Sequence, residues 1–197
     1  METKEFYNKY MEIFLEENSK VNLISKNDEK FLWEKHIYDS LAISAFFEKY
    51  GLPKTLLDIG TGGGFPSVPI ALTYPEIQVT AVDSITKKIR AVTTIGEKLR
   101  LKNLTPVCSR IENLDGKFDV ITSRAVSRLD KICEYALPKL KKGGYFVAYK
   151  SRKTPEEITD AQKILKKYNA KIVEIMEYSL PLEEEHTRNL IVIQGGK

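Results

Sequence analysis

The sequence predicts a doubly wound α/β fold with a mostly parallel sheet and additional helices at the N-terminus. After Pro53, short apolar runs alternate with longer amphipathic ones, as strands and helices do in such folds. The apolar runs alternate only weakly with polar residues, which is typical of parallel strands covered on both faces. With 197 residues, the chain is long enough to bury a sizeable core.

The first 50 residues are predicted to be helical. Apolar residues at helical spacing indicate a helix over 5–17, a break over 18–26, and a second helix over about 28–50. We expect this segment to pack on the main domain as an extension, so that residues 1–197 form a single domain.

Strands and helices are expected to alternate in the rest of the chain. Strands are predicted at 55–59, 78–82, 104–108, 118–123, 145–149, 171–178 and 188–194, and helices at 65–73, 86–101, 129–140 and 155–168. Gly143 and Gly144 are expected to turn into the fifth strand. The last two strands leave no room for a crossover helix, so they must form an antiparallel hairpin, with 183–185 as its solvated turn. In such a sheet the ligand lies outside the carboxyl ends of the strands, where the strand order reverses.

The composition is that of an ordinary soluble protein, with 42% hydrophobic and 29% charged residues. No apolar run approaches the roughly 18 residues of a membrane span, and the first residues lack the layout of a secretory signal. We therefore expect a cytoplasmic protein that does not bind membranes. Cys108 and Cys133 are isolated and only two histidines are present, so we expect buried or half-buried free thiols and no metal site.

The net charge of +4 is unevenly distributed along the chain. Residues 83–153 contain 17 Lys and Arg against 7 Asp and Glu, whereas the rest contains 14 against 20. A basic middle segment can place a positive field on one edge of the fold, which suits a polyanion. Solvated helix surfaces would produce the same count, so charge alone leaves nucleic-acid binding open.

The strongest motif is the segment DIGTGGGFP at 58–66, between the first strand and its helix. Glycines allow the backbone to turn sharply and to approach a ligand closely. The helix that follows presents unpaired N–H groups beside that ligand. Asp83, at the end of the second strand, can accept hydrogen bonds from both hydroxyls of a ribose.

A dinucleotide-binding protein would also combine a glycine loop with a distal acid. Its fingerprint is GxGxxG or GxGxxA, whereas here Gly60 and Gly62 are followed by Gly64 one place early, and Phe65 stands at the fingerprint position. Asp58 just before the loop suits a cofactor with an amino-acid tail better than one with a pyrophosphate. The arrangement resembles the S-adenosylmethionine motif of class I (Rossmann-like) methyltransferases.

Several segments together carry a closer resemblance. In order they are NL at 22–23, HIYDSL at 36–41, the glycine loop, DSITKK at 83–88, SRIE at 109–112 and SRAV at 123–126. This set resembles the RsmG family, also called glucose-inhibited division protein B, over about residues 20–150. The resemblance implies transfer of a methyl group from S-adenosylmethionine to N7 of one guanine in 16S ribosomal RNA of the small subunit. We expect a monomer.

The resemblance also implies roles for individual residues. Gly60 and Phe65 would contact the cofactor from the first loop. Ile111 and Glu112 would flank the adenine, and Arg124 would reach the cofactor from the end of the fourth strand. Ser67 and Ile111 depart from the residues common in the family, which leaves the loop geometry open rather than the activity.

Methylation of guanine N7 requires no general base, because N7 carries an unprotonated in-plane lone pair. The enzyme must orient two reactants and tolerate the movement of charge from sulfur to the purine. We therefore expect no catalytic triad and name no certain catalytic residue.

Four residues are candidates for substrate contacts. Arg124 can bind the guanine edge, a phosphate or the cofactor carboxylate, unless it only caps its strand. Lys150, at the end of the fifth strand, can contact a phosphate. His36 and Asp39 share a helix face and either line the target pocket or hold the N-terminal helices on the core.

Two other classes of function stay open at this point. A methyltransferase for a small molecule or a protein would lack salt-dependent RNA binding. A non-catalytic ribosome-assembly factor would have lost the cofactor loop, yet Asp58, Gly60, Gly62 and Asp83 are all present.

Overall fold

A single mixed sheet organises the molecule. The computed structural model of the chain describes residues 4–151, 154–184 and 186–196. Its strands lie in the order β3-β2-β1-β4-β5-β7-β6, and all neighbours are parallel except β7, which runs antiparallel to β5 and to β6. The doubly wound α/β fold predicted from the sequence is thus confirmed. The strands are β1 (Thr55–Ile59), β2 (Gln78–Asp83), β3 (Leu104–Cys108), β4 (Phe118–Arg124), β5 (Leu140–Lys150), β6 (Lys171–Leu180) and β7 (His186–Gln194).

Helices cover both faces of this sheet. They are α1 (Asn8–Val21), α2 (Lys26–Glu29), α3 (Asp39–Leu41), α4 (Ser44–Tyr50), α5 (Ser67–Thr73), α6 (Thr86–Lys98), α7 (Leu129–Ala136) and α8 (Thr154–Lys167). Short 3₁₀ turns lie at Lys4–Tyr7, Ile111–Asn113 and Leu137–Lys139, and a π-type turn at Leu32–Tyr38. Alternate residues of β1 face opposite layers: Leu57 packs with α7 and α8, whereas Leu56 packs with α4 and α5.

The continuous helix predicted over 28–50 is wrong, because the structure divides it into α2, the π-type turn, α3 and α4. Side chains donate hydrogen bonds to backbone carbonyl groups that would accept from backbone amides in a regular helix. The Ser40 hydroxyl donates to the His36 carbonyl at 2.5 Å, and Arg124 donates to the Lys35 carbonyl at 3.0 Å. The π-type turn thus forms where β4 meets the N-terminal segment.

The predicted break over 18–26 is wrong in its first residues, since α1 continues to Val21. Buried Asn18 stays helical because its side chain has partners beyond the helix end: it donates to Glu29 at 2.7 Å and accepts from the Ile24 amide at 2.8 Å. The helix ends at Asn22, which has a positive φ of 54°.

The turn predicted at Gly143 and Gly144 is also wrong. Both glycines lie inside β5, which begins at Leu140. The register of β5 against β4 shifts between Phe118 and Val120, so extra residues are accommodated in the strand. A Cβ at Gly144 would approach the Asp119 carbonyl oxygen to 2.8 Å. The pair therefore permits close packing of two strands.

The hairpin and the cysteines are partly as predicted. β6 and β7 pair antiparallel, and Glu183 and Glu184 of the connecting turn are exposed, while Glu185 lies outside the described residues. Both thiols are free, and Cys133 is buried, but Cys108 is exposed because it ends the edge strand β3. None of the helices in the described part of the chain combines the length and apolar character needed to span a membrane.

The N-terminal helices pack directly on the sheet layer that carries the glycine loop. Tyr10 and Phe14 of α1 share a buried cluster with Phe65 of the loop. Buried Glu17 accepts from Lys98 of α6 at 3.1 Å, which joins α1 to α6 at their surface. The N-terminal helices thus lie against the glycine loop.

Buried Asn103 holds the end of α5 against the sheet. Its side-chain amide lies within hydrogen-bond distance of the carbonyl oxygens of Ala71, Tyr74 and Ile77, at 3.0 to 3.2 Å. The Ala71 carbonyl belongs to the last turn of α5 and the other two follow the helix, so they lack helical partners and have to be satisfied because water is excluded there.

We predict that Asn103→Ala lowers the free energy of unfolding by about 2 to 3 kcal/mol, because it leaves buried carbonyl groups without a donor. Urea unfolding followed by circular dichroism measures this loss. Exposed Asn113 is the control, and Asn113→Ala should change stability by less than about 0.5 kcal/mol. Equal stability of the two variants would contradict this assignment.

Candidate functional site

Two cavities open at the carboxyl edge of the sheet, where β1 and β4 lie side by side and the strand order reverses. The glycine-loop cavity has a volume of about 760 Å³ and is lined by the loop after β1 together with Asp83 and the turn after β3. The hairpin cavity has a volume of about 610 Å³ and is lined by the N-terminal segment, β5 and the β6–β7 hairpin. Both volumes are typical of ligand sites. Five residues line both cavities: His36, Arg124, Ala125, Val126 and Ser127.

The glycine loop is held by backbone hydrogen bonds to β2. The amides of Gly60 and Thr61 donate to the Val82 carbonyl at 2.8 and 3.0 Å. The Gly62 amide donates to one carboxylate oxygen of Asp83 at 3.0 Å, and the Ile85 amide donates to the other at 2.9 Å. Each oxygen keeps a further lone pair for a ligand hydroxyl. Asp83 is therefore fixed at the rim of the glycine-loop cavity.

Gly60 needs the absence of a side chain for two reasons. Its φ is +70°, in the region that only glycine adopts readily. A Cβ there would lie 2.5 Å from Cγ2 of Val126, an exposed residue of the loop after β4. Ala125 beside it has a φ of +56°, so this loop takes a strained conformation over the glycine loop.

Asp58 lies directly before the loop and is fully buried, so it does not line either cavity itself. One oxygen accepts from the Thr122 hydroxyl at 3.0 Å, and the other has no hydrogen-bond partner among the described residues. Burial raises the pKa of Asp58 to about 6, against the opposing effects of hydroxyl donors and of the Arg124 charge. A buried carboxylate with an unused oxygen favours a cation close by.

Arg124 connects the end of β4 to the N-terminal helices. Its guanidinium donates to the Asp39 carboxylate at 2.9 Å, lies 3.2 Å from Nδ1 of His36, and stands over the ring of Phe65 at 5.2 Å. The second oxygen of Asp39 accepts from the Tyr178 hydroxyl at 2.7 Å. Arg124 therefore sits between the two cavities with most of its donors already engaged.

His36 is a neutral histidine in this arrangement. Burial lowers the pKa of His36 to about 4, and the positive charge of Arg124 acts in the same direction. Because an arginine only donates, Nδ1 of His36 accepts and the proton belongs on Nε2. Nε2 is buried without a hydrogen-bond partner in the described part of the chain.

The residues predicted from the sequence separate between the two cavities. Those expected at the cofactor, apart from Asp58, line the glycine-loop cavity: Gly60, Gly62, Phe65, Asp83, Ile111, Glu112 and Arg124. Those expected at the substrate line the hairpin cavity: His36, Asp39, Arg124 and Lys150. Lys150 donates to the Ser127 carbonyl at 2.6 Å and pairs with Glu157 at 2.7 Å, so its charge is already compensated.

Sequence reasoning missed the contribution of the hairpin to this edge. Tyr178 of β6 and His186 and Arg188 of β7 line the hairpin cavity. The rule for parallel sheets directs attention to strand ends, but β7 runs antiparallel, so its first residues lie beside the end of β5, where Asn189 pairs with Lys150. The predicted hairpin already implied this contribution, because its second, antiparallel strand has to begin at the edge of the sheet where the parallel strands end.

The described residues contain no cluster of three or more His, Cys, Asp or Glu side chains that could hold a metal ion. No cysteine is among the described residues that line either cavity. Burial raises the pKa of the Cys133 thiol to about 12, which makes it a poor nucleophile.

Comparison with known proteins identifies the family. The family description "rRNA small subunit methyltransferase G" matches residues 3–190. The chain is 39% identical over 196 residues to the ribosomal RNA small subunit methyltransferase G of Bacillus licheniformis, covering 96% of this chain and 81% of that protein. It is 36% identical to the protein of the same name from Lactococcus lactis, covering 98% and 83%. The chain belongs to the rRNA small subunit methyltransferase G family.

Solved structures of other proteins share the fold of this family member. A precorrin-6y C5,15-methyltransferase from Geobacter metallireducens matches with a TM-score of 0.60 and 17% identity, over 78% of this chain and 87% of that one. The TYW2 protein of P. horikoshii, solved in complex with MeSAdo, matches with a TM-score of 0.64 and 16% identity, over 82% and 63%. At these identities the likeness concerns the fold alone.

We predict that Gly60→Asp abolishes binding of S-adenosylmethionine. The new side chain would collide with Val126, require an unfavourable positive φ and place a second carboxylate near Asp58. Isothermal calorimetry measures the affinity. Gly143 also has a positive φ but open space around it, so Gly143→Asp should keep wild-type affinity. Unchanged binding by Gly60→Asp would exclude the loop from the cofactor site.

We predict that Arg124→Gln lowers the free energy of unfolding by about 3 to 5 kcal/mol as well as reducing methyl transfer, because it leaves the charge of Asp39 buried and unpaired. Thermal and urea unfolding test the first effect. Adding Asp39→Asn should restore part of the stability. Exposed Arg128 has only surface ion pairs, so Arg128→Gln should cost less than about 1 kcal/mol. A fully stable Arg124→Gln protein would contradict the prediction.

Proposed function

We propose that this protein transfers the methyl group of S-adenosylmethionine to N7 of a guanine in 16S ribosomal RNA of the small ribosomal subunit. The proposal rests on one observation: two cavities of ligand size lie side by side and share a wall. The glycine-loop cavity takes the cofactor and the hairpin cavity takes the nucleotide. Family membership supplies the methyltransferase activity and the ribosomal RNA of the small subunit as its substrate.

The residues around the glycine-loop cavity fit a sulfonium nucleoside. The unpaired oxygen of buried Asp58 favours the positive charge of the cofactor, and the bare Cα of Gly60 permits close approach. Asp83 would accept the ribose hydroxyls, as its fixed carboxylate can. Ile111 and Glu112 would flank the adenine from the turn after β3.

When bound, the sulfonium group supplies an electrophilic methyl carbon. The protein's own contribution is to hold guanine N7 in line with that carbon and to exclude water from the junction of the cavities. Guanine N7 is already an unprotonated nucleophile, so a neutral His36 has no proton to remove. The guanidinium of Arg124 is held in place by Asp39 and His36. Its positive charge would face the purine on one side and the cofactor carboxylate on the other.

The same proposal includes the organisation of the chain. We propose that residues 1–197 act as one domain, because α1 packs on Phe65 of the glycine loop and the π-type turn contributes His36 to the walls of both cavities. We also propose that the protein acts as a monomer in the cytoplasm. Lys150 would act through its contact with the Ser127 carbonyl, which holds the loop after β4 in place.

The decisive experiment incubates the protein with labelled S-adenosylmethionine and small ribosomal subunits that lack the modification. We expect label in 16S RNA, at one guanine that becomes sensitive to reduction and chain cleavage as N7-methylguanine does. The Gly60→Asp protein is the control and should transfer no label. Label in a ribosomal protein, or at another atom of the RNA, would overturn the proposal.

We predict that the affinity for S-adenosylmethionine rises by up to about tenfold as the pH increases from 5 to 7. Because the pKa of Asp58 is about 6, the carboxylate becomes negative in this window and attracts the cationic cofactor. Calorimetry at each pH measures the change. The Asp58→Asn protein should show no such rise, since it has no charge to gain. The same pH dependence in both proteins would assign the effect to another group.

Asp58 also predicts the pH dependence of stability without cofactor. Its folded pKa, about 6, lies above the ordinary value of 3.8, so its contribution to stability is present at low pH and is lost as the pH rises from 3.8 to 6. Relative to wild type, Asp58→Asn should therefore gain on the order of 3 kcal/mol between pH 4 and pH 7. Urea unfolding of both proteins at the two pH values measures this difference. A constant difference would contradict the raised pKa.

A further inference from the structure

Among the described residues, the hairpin cavity is lined by five cationic side chains, and four of them have carboxylate partners. Lys35 pairs with Asp28 at 3.1 Å, Arg124 with Asp39 at 2.9 Å, and Lys150 with Glu157 at 2.7 Å. Arg128 pairs with Asp130 and Asp160. The fifth cation is Arg188, for which the described residues provide neither an ion pair nor a hydrogen bond to its side chain.

Arg188 occupies a defined place on the wall of the cavity. It lies near the beginning of β7, opposite Tyr178 of β6, and is half-buried. His186 precedes it by two residues and so projects from the same face of the strand. The antiparallel direction of β7 places both side chains beside the end of β5, on the side of the hairpin cavity that is away from the glycine loop.

An uncompensated guanidinium in a cavity wall favours an anion from outside the protein. Removing part of a charge from water is unfavourable, and an incoming anion offsets this cost. A guanidinium offers several N–H donors in a planar fork that matches the oxygens of a phosphate group. The paired cations of the same cavity have less to gain, because an anion would have to displace a carboxylate.

We infer that Arg188 binds an RNA phosphodiester adjacent to the target guanosine, at the end of the hairpin cavity opposite the cofactor. This inference rests on the proposed function, since it takes the guanine to enter the same cavity. The contact holds the nucleotide with its base directed towards the wall shared with the glycine-loop cavity. Phosphate contacts position a nucleic acid without reading its sequence. Arg188 is therefore a positioning residue for the substrate.

The inference has a specific kinetic signature. Loss of one phosphate contact weakens substrate binding and reduces the salt dependence of binding by about one unit of the logarithmic slope. The cofactor should bind as before, because Arg188 does not line the glycine-loop cavity. The rate at saturating substrate should also stay close to wild type, since Arg188 lines the hairpin cavity and not the cavity that takes the cofactor.

The test compares Arg188→Gln, Arg188→Lys and Arg100→Gln with wild type. Arg100 is an exposed arginine beyond the end of α6 and lines neither large cavity, so it controls for the loss of one positive charge. Methyl transfer to unmodified small subunits is measured at several salt concentrations, and affinity for S-adenosylmethionine by calorimetry. We expect Arg188→Gln to raise KM for the subunit about tenfold, with kcat within about twofold and a shallower salt slope. Arg188→Lys should keep the slope and recover part of KM, because it keeps the charge but not the planar fork.

Other results would overturn the inference. KM and slope equal to those of Arg100→Gln would show that Arg188 contacts no phosphate. A fall in kcat at unchanged KM, or the loss of salt dependence in Arg188→Lys as well, would indicate a structural role. Inorganic phosphate at constant ionic strength separates the two sources of the anion: saturable phosphate binding that Arg188→Gln abolishes, while the same substitution leaves KM for the subunit and the salt slope unchanged, would assign the site to free phosphate. Failure of the wild-type protein to label 16S RNA at all would instead contradict the proposed function.

Discussion

The buried ion pair between Arg124 and Asp39 is the interaction on which the candidate site depends. Arg124 ends the strand next to the point where strand order reverses, and Asp39 begins a helix of the N-terminal segment. The pair therefore joins the sheet to the helices that complete both cavities. Only 16% of the Arg124 side chain and 7% of the Asp39 side chain is exposed, so neither charge can be left to solvent. The interruption of the helix at the π-type turn follows from the same contact, because Arg124 also occupies the Lys35 carbonyl.

Two buried carboxylates near this site differ in how their charge is balanced. Asp39 is compensated by Arg124 and by the Tyr178 hydroxyl, so it serves to hold the walls together. One oxygen of Asp58 accepts from the Thr122 hydroxyl, the other has no hydrogen-bond partner in the described part of the chain, and burial raises the pKa of Asp58 to about 6. Asp58 is therefore the carboxylate whose charge a cationic ligand can balance. Removing a charge from water is unfavourable. For Asp39 this cost is offset inside the protein by Arg124, and for Asp58 the proposed cationic ligand would offset it.

The accuracy of the sequence predictions depended on the range of the interaction involved. The glycine loop and Asp83 were predictable because the loop follows β1 and Asp83 ends β2, and local backbone requirements decide the residue type at such positions. The uninterrupted helix over 28–50 was wrong because side chains distant in sequence, such as Arg124, take part in its hydrogen bonds. The turn at Gly143 and Gly144 was wrong because the register shift between β4 and β5 depends on both strands at once.

Local signals in the amino-acid sequence were sufficient to predict the order of strands and helices, the parallel sheet with its terminal hairpin, the glycine loop and the resemblance to the family. Periodicity, turn residues and motif spacing are short-range properties, so they are readable without coordinates. Only the folded structure decides which charged side chains form ion pairs and which do not. Arg124, Lys150 and Arg188 are equivalent cations in the sequence, but in the folded chain the first two meet carboxylates, and no partner for Arg188 lies among the described residues. That distinction arises from the packing of β4, β5 and β7 against elements far away along the chain.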